Sequence, residues 1–568
     1  MGADVETVRA PRRIFGRSIS AWLYEVWALV VTVFASLIAI GHIAKSDWET
    51  TFLYNADSIV LPMVEKSIAQ GEAFHWVFSS QSFFFPEGLF FAISTAFTDS
   101  PQVALYTNAC LNIVVLYVLL RVIARQLAHG SRHQFLEITI ALAATILFVV
   151  YVLLEPTASV NRSGTATLFL LTTYYYGVIV VGLVAITLVL WVTRSFSAGS
   201  WGRRRVKIYA VVVGLITAAT VFSDPLYFAQ VLAPMAVCLF ILAASKRVTW
   251  KRVWVLLLPG LLGTVLGFGF RVVFADLFAS NLASYFSIEN IPTSITVLRE
   301  SFVEMTSTSS GSLKLLLIGS VLLITFSVMT YAIVGCFRPA IASRVSTVEF
   351  FVIGFVSVST VSLFLGHVLT GAITTRYLIP IYVFPLLTIV YVGVYLLRRL
   401  LVEVENTTLR RDLSRFSVGI AIAASIVIVV VDSLNLPAVV RSASGANYQS
   451  TRCFDDFVGN SQRNGVGSFW SVRTLEVYGD ARGEVLQVQP DLTVYPWMNN
   501  LAPYEDTDFS YVVSDSSGQV PPESLIALGE PAEVIDCVSY TIYDYEGTPG
   551  EAILNRVVGE SADKLLSD

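Results

Sequence analysis

Residues 23–44 read LYEVWALVVTVFASLIAIGHIA, with Glu25 near the start and His42 near the end as the only acidic and basic side chains. A run this long and apolar matches a helix crossing the ~30 Å hydrocarbon core of a bilayer. Arg9, Arg12, Arg13 and Arg17 precede it and no small-residue cleavage site follows, so it reads as an uncleaved first span and not as a signal peptide. Comparable runs recur at 103–123, 135–154, 168–192, 208–222, 226–244, 253–274, 315–334, 348–369, 377–397 and 418–434. Together they predict an α-helical polytopic membrane protein with about eleven transmembrane helices. The short pair flanking Ser223-Asp224-Pro225 is the weakest boundary. Composition agrees: of 568 residues, 55% are hydrophobic and 14% charged, and mean hydropathy is +0.68. That is too little charge to cover a soluble protein of this size. The net charge of -5 is small, and with no basic tract or aromatic-basic motif nothing points to nucleic acid.

Positive charge collects on alternate loops. One set holds the N-terminal arginines, Arg121, Arg125 and Arg132, then Arg203, Arg204, Arg205 and Lys207, then Lys246, Arg247, Lys251 and Arg252. It continues with Arg338 and Arg344 and ends with Arg398, Arg399, Arg410, Arg411 and Arg415. The other set is sparse: Lys45, Lys66, Arg162, Arg271, Arg299, Lys314 and Arg376. Lys/Arg-rich short loops stay in the cytoplasm. The N-terminus is therefore expected inside, and an odd number of spans puts the C-terminal end outside, in a plasma (inner) membrane of bacterial type.

The cysteines point the same way. Cys110, Cys238 and Cys336 lie in or beside apolar runs, where a thiol acts as a small hydrophobe. Cys453 and Cys537 both fall in the polar tail. A bridge between them needs an oxidising compartment and would close a loop of roughly eighty residues, worth about 4 kcal/mol; two free thiols is the alternative. The chain thus divides into a membrane domain, 1–434, with a long first outer loop at 45–100, and a soluble exoplasmic domain at 435–568. Short Val/Tyr/Thr runs at 484–488, 491–495, 511–513 and 538–543, bounded by Gly, Pro and Asp, predict strands and an α+β tail. No internal repeat is visible, which weakens an inverted-repeat transporter.

The first loop carries the densest chemistry: Asn55-Ala56-Asp57-Ser58, then His75-Trp76, then Phe83-Phe84-Phe85-Pro86-Glu87-Gly88. An interfacial aromatic belt accounts for Trp76 and the phenylalanines and leaves Asp57 and Glu87 unexplained. A carboxylate beside lipid headgroups can serve as a general base or hold a divalent metal against a phosphate. Arg376-Tyr377, at the mouth of the tenth span, could grip a phosphate bidentately; snorkelling or a structural ion pair is the competing account. Asp224 is a site candidate or a Ser-Asp-Pro turn and cap, and His367 a binding candidate or a packed histidine. Glu155, Arg162 and Arg271 are lesser candidates, and 161–163 is a glycosylation sequon usable in a eukaryote. No P-loop, dinucleotide fingerprint, zinc site or nucleophile elbow is present.

With Asp57 in a long loop after the first span, Phe85-Pro86-Glu87 closing that loop, and Arg376-Tyr377-Leu378-Ile379-Pro380 late in the membrane part, the chain resembles the GT-C superfamily of membrane glycosyltransferases. That group includes protein O-mannosyltransferases, aminoarabinose transferases and oligosaccharyltransferases. The resemblance covers the membrane portion and implies a polyprenyl-phosphate sugar donor. It also implies Asp57, with Glu87, as the acid that acts as base or metal ligand, and Arg376 at the phosphate. The acceptor would be an envelope glycan, lipid or protein. Asn55-Ala56-Asp57 departs from an Asp-Asp or Glu-Asp pair, which favours a single-acid role and leaves a divalent metal open. The tail would serve as an accessory that binds a glycan or protein acceptor through its Tyr and Trp residues. Two other classes compete: a transporter or flippase, which should carry mid-membrane charges at broken helices, and a non-catalytic envelope protein that binds a partner through the tail.

Overall fold

A computed structural model describes residues 13–14, 17–128, 134–155, 164–197, 203–279, 287–337, 345–403, 407–446, 448, 450–459, 461–480, 482–505, 507–515 and 520–567. Arg9, Arg12, Arg132, the sequon at 161–163 with Arg162, Arg338 and Arg344 lie outside the described residues.

Ten helices among the described residues, from Ala21–Ile43 to Ser425–Ala443, are long and apolar enough to cross a membrane, and the apolar helix Phe228–Ala244 is shorter. Their outward faces expose Leu215, Val265, Val272, Leu316, Leu323, Val427 and Leu434. Left in water, each such side chain forgoes about 1.5–3 kcal/mol of burial; facing lipid it costs nothing. The protein is membrane-embedded on this physical ground. Inside the bundle several polar groups are paired. Arg121 bridges Glu25 (3.1 Å) and Glu137 (3.2 Å), and the Trp27 indole N–H donates to Ser425 Oγ at 3.0 Å.

Three apolar runs fold differently from a simple span. The run at 168–192 opens with a 3-10 turn, Thr167–Leu170, and becomes a regular helix only at Tyr176–Ser197. The stretch between is drawn into the site described below. The run at 377–397 is broken into Thr375–Leu378, Pro380–Val383 and Leu386–Glu403, because Pro380 and Pro385 cannot donate to a preceding turn. The last helix, Thr407–Ala443, continues past Leu434.

The C-terminal region folds on seven short strands, one of them from the first loop: β1 (Trp76–Val77), β2 (Asn464–Gly467), β3 (Val485–Gln487), β4 (Asn499–Asn500), β5 (Phe509–Asp515), β6 (Glu533–Asp536) and β7 (Tyr540–Asp544). Five form a mixed sheet in the order β3-β2-β5-β7-β6, parallel across β3-β2-β5 and antiparallel beyond. Alternation along β5 decides the layers. Tyr511 and Val513 face a cluster with Phe454, Val472 and Leu475, while Val512 faces one with Leu554 and Val558 of the Pro549–Ser567 helix. Cys453 and Cys537 are bonded, with Cα atoms 5.9 Å apart, tying the Ser450–Val458 helix to the end of β6.

The expected strand at 491–495 is a turn instead. Gln489 N–H bonds Thr493 O, Leu492 N–H bonds Gln489 O, and Leu492 has a positive φ of 65°. The central strand β2 gave no alternation signal because two of its four residues are glycine. Any side chain at Gly465 would run into the Tyr511 ring, and one at Gly467 into the Val513 backbone.

The first loop, the segment just after the Trp250–Val273 helix and the C-terminal domain meet at one end of the bundle. β1 pairs antiparallel with β4, and Phe78 exchanges backbone hydrogen bonds with Leu277 and Ala279 of that segment, both at 2.7 Å.

Candidate functional site

The helix Trp48–Leu53 ends at Tyr54, whose ring stacks on Tyr448 at 3.9 Å. The chain then turns, with the Asn55 side chain accepting from Asp57 N–H at 3.0 Å. The next three carbonyls each receive a side-chain donor from elsewhere. Ala56 O accepts from Arg473 Nη1 (3.1 Å), Asp57 O from Thr173 Oγ1 (2.6 Å) and Ser58 O from Thr172 Oγ1 (2.8 Å). With its backbone fixed on both sides, Asp57 projects its carboxylate into a cavity of about 230 Å³.

Arg376 enters the same cavity from the broken helix. Its Nη1 lies 3.9 Å from Asp57 Oδ2, and its guanidinium stands over the rings of Tyr175 (6.0 Å) and Tyr377 (5.8 Å). The Nε atom is buried without a hydrogen-bond partner among the described residues. Burial raises the Asp57 pKa above the ordinary carboxylate value, and the charges of Arg376 and Arg473 pull it partly back. The membrane side of the cavity is completed by Ser79, Gln81, Phe83, Thr173 and Tyr175. The opposite wall is the C-terminal domain, through Phe469, Trp470, Tyr495, Trp497 and Met498.

Arg473 locks the two halves together. It is fully buried, donates to Gln487 Oε1 at 2.9 Å and to Met498 O, and lies over the Phe469 ring at 4.3 Å. Burial lowers its pKa to about 10, still charged at neutral pH. Nothing local in the sequence singles out Arg473, since its partners lie on a distant loop and on two other turns of the tail. The Thr172-Thr173-Tyr174-Tyr175 stretch was hidden for another reason: it lies inside an apolar run read as a span.

The structure brings Asp57 and Arg376 together and leaves the other candidates off the cavity lining. Tyr377 packs at a tilt against Tyr175 (5.4 Å) and its carbonyl accepts from Gln230, so it backs Arg376. Glu87 is fully buried, with Oε1 accepting from Gly177 N–H at 3.1 Å in the first turn of the Tyr176–Ser197 helix. A β-carbon at residue 177 would fall on that carboxylate. Burial, with nearby Asp224 adding to it, raises the Glu87 pKa to about 8. Asp224 caps its own turn by accepting from Leu226 N–H at 2.9 Å. Trp76 is buried and donates to Ser67 Oγ at 3.3 Å. His367 is buried on the Thr347–Leu369 helix. Of the lesser candidates, Glu155 pairs with buried Lys314 at 2.5 Å, and Arg271 donates to the carbonyls of Phe222 (2.7 Å) and Ser80 (2.8 Å).

Among the described residues no three His, Cys, Asp or Glu side chains converge as a metal site. At the cavity a lone carboxylate beside a guanidinium does not by itself make a cation cage. No family model matches the chain, and no curated protein matches it significantly.

Proposed function

We propose that the chain is a membrane glycosyltransferase of GT-C type, moving a sugar from a polyprenyl-phosphate carrier to a hydroxyl of an envelope glycan, lipid or protein. The observation that carries this reading is the facing of Asp57 and Arg376 across one cavity at 3.9 Å. In the proposed reaction the acceptor oxygen bonds the anomeric carbon as the bond from that carbon to the phosphate oxygen breaks. Asp57 takes the acceptor proton, and a carboxylate with a raised pKa suits that task. Arg376 holds the charge that the departing polyprenyl phosphate develops. No step passes through a metal.

The charge distribution of the loops and the Cys453–Cys537 bond support a cytoplasmic N-terminus and an exoplasmic C-terminal domain. Counting Phe228–Ala244 with the ten longer helices makes the number of crossings odd, as that orientation needs. Phosphatase fused after Asp568 should then be active and a fused cytoplasmic reporter dark.

The direct test is transfer in proteoliposomes from polyprenyl-phosphate monosaccharides to an envelope extract. Wild type is expected to label the extract and Asp57→Asn to lose the activity while melting normally. Wild-type rates from Asp57→Asn would overturn the reading.

A further inference from the structure

We propose that the C-terminal domain supplies the sugar-recognition wall of the cavity, with a pyranose ring held against Trp470, Tyr495 and Trp497. This rests on the glycosyltransferase reading and goes past it by assigning the two walls different parts of the substrate.

The cavity is two-faced. The membrane side presents a carboxylate, a guanidinium and the polar groups of Ser79, Gln81 and Thr173 beside Phe83 and Tyr175, whereas the C-terminal side is aromatic apart from Met498. A pyranose is two-faced in the same way. Its ring carbons carry hydrogens with partial positive charge that suit the negative face of an aromatic ring, and its hydroxyls need polar partners on the other side. A purely apolar ligand would bury the Asp57 carboxylate and the Arg376 guanidinium, whose Nε has no hydrogen-bond partner among the described residues, without giving either a new one, at a cost of about 1–3 kcal/mol for each group. A peptide would need backbone partners that an aromatic wall does not offer. A volume of about 230 Å³ takes a ring of monosaccharide size and not a long glycan.

The wall is also built before any ligand arrives. Phe469 is buried and acts as its buttress, with Trp470 perpendicular to it at 4.8 Å and Tyr495 at 5.9 Å. Arg473 clamps Phe469 from one side and the Met498 carbonyl, next to Trp497, from the other. Such preorganisation favours binding because little freedom remains to be lost. Trp470 keeps 40% of its surface exposed although it adjoins a buried neighbour, as a contact residue should.

The test separates ring binding from catalysis. Full-length protein in detergent is titrated with octyl pyranosides of several hexoses and pentoses, and separately with octyl phosphate, by ligand-observed NMR. At least one pyranoside should bind wild type and weaken roughly tenfold or more in Trp470→Ala, the loss typical of an aromatic anchor. Octyl phosphate should bind Trp470→Ala as it binds wild type and be lost in Arg376→Gln. Tyr495→Leu serves as a second variant, and only variants melting within the wild-type range are compared. Pyranoside binding unchanged in both aromatic variants, or no pyranoside binding to wild type, overturns the assignment of the wall. Failure of the transferase reading shows elsewhere, as full transfer by Asp57→Asn.

Discussion

The Arg376 guanidinium stands 3.9 Å from the Asp57 carboxylate, too far for a good hydrogen bond and near enough for each to set the other's charge. Neither group satisfies its partner, so both keep capacity for a third.

Under the proposed reaction, this spacing sets the expected pH behaviour of transfer. A base must be deprotonated, so the rate should rise with pH through the Asp57 pKa, which burial lifts above the usual carboxylate value and Arg376 pulls down. Removing the cation in Arg376→Gln should move the acid limb to higher pH as well as slow the reaction, and Arg376→Lys should restore the limb better than the rate. A pH–rate profile of the three proteins checks this; an unmoved limb in Arg376→Gln would disprove the coupling.

Arg473→Met should strip donors from Ala56 O, Gln487 and Met498 O at once. Each buried acceptor left unpaired costs about 1–3 kcal/mol, so the melting temperature of the full chain should fall by several degrees or more. Arg473→Lys should fall between, since it keeps the charge and loses the fork.

Glu87 predicts a stability slope of definite sign. Its folded pKa is about 8 against an ordinary 4.5, so between those values the folded protein holds a proton the unfolded chain has released. Stability is therefore full below pH 4.5 and declines as pH rises through about 8. Glu87→Gln keeps the acceptor for Gly177 N–H and cannot ionise. Its advantage over wild type should therefore be larger at pH 8.5 than at pH 5.5; an equal difference in melting at both would contradict the buried-acid account.

Cys453 and Cys537 close a loop with a sequence separation of 84, for which chain entropy gives about 4 kcal/mol. Cys453→Ser with Cys537→Ser should destabilise the C-terminal domain on that scale in denaturant melts, and reductant should have no further effect on the double variant.

How far the sequence carries depends on whether a signal is local. Apolar runs are local, and so is the contrast between them and the tail, so the bundle and its appended sheet domain were readable. Asp57 and Arg376 stood out because each is a charge beside aromatic residues close to the membrane surface, which an interfacial belt does not explain. Glu87 stood out for the same reason, yet it lies against the Tyr176–Ser197 helix start; its packing partner is a glycine, which carries no pattern. The tail is expected from sequence to bind an acceptor through its Tyr and Trp residues, but no local signal says that Phe469, Trp470, Tyr495 and Trp497 are the ones that line a cavity. Only the docking of β1 on β4, with Arg473 reaching the Ala56 carbonyl, shows that they face the membrane half. Thr172 and Thr173 were masked by the hydrophobicity of their neighbours, because hydropathy averages over a window wider than the bend they sit in.

The three consecutive carbonyls at 56–58 have a consequence for how the protein is made. Two of their donors, Thr172 and Thr173, are synthesised soon after the loop, but the third, Arg473, emerges only near the end of translation. Chains grow from the N-terminus and their parts fold in that order. The nascent polypeptide therefore carries Asp57 through most of its synthesis on an unfinished turn, and the cavity that Asp57 faces gains its second wall last. A chain cut short before Phe469 would lack that wall altogether.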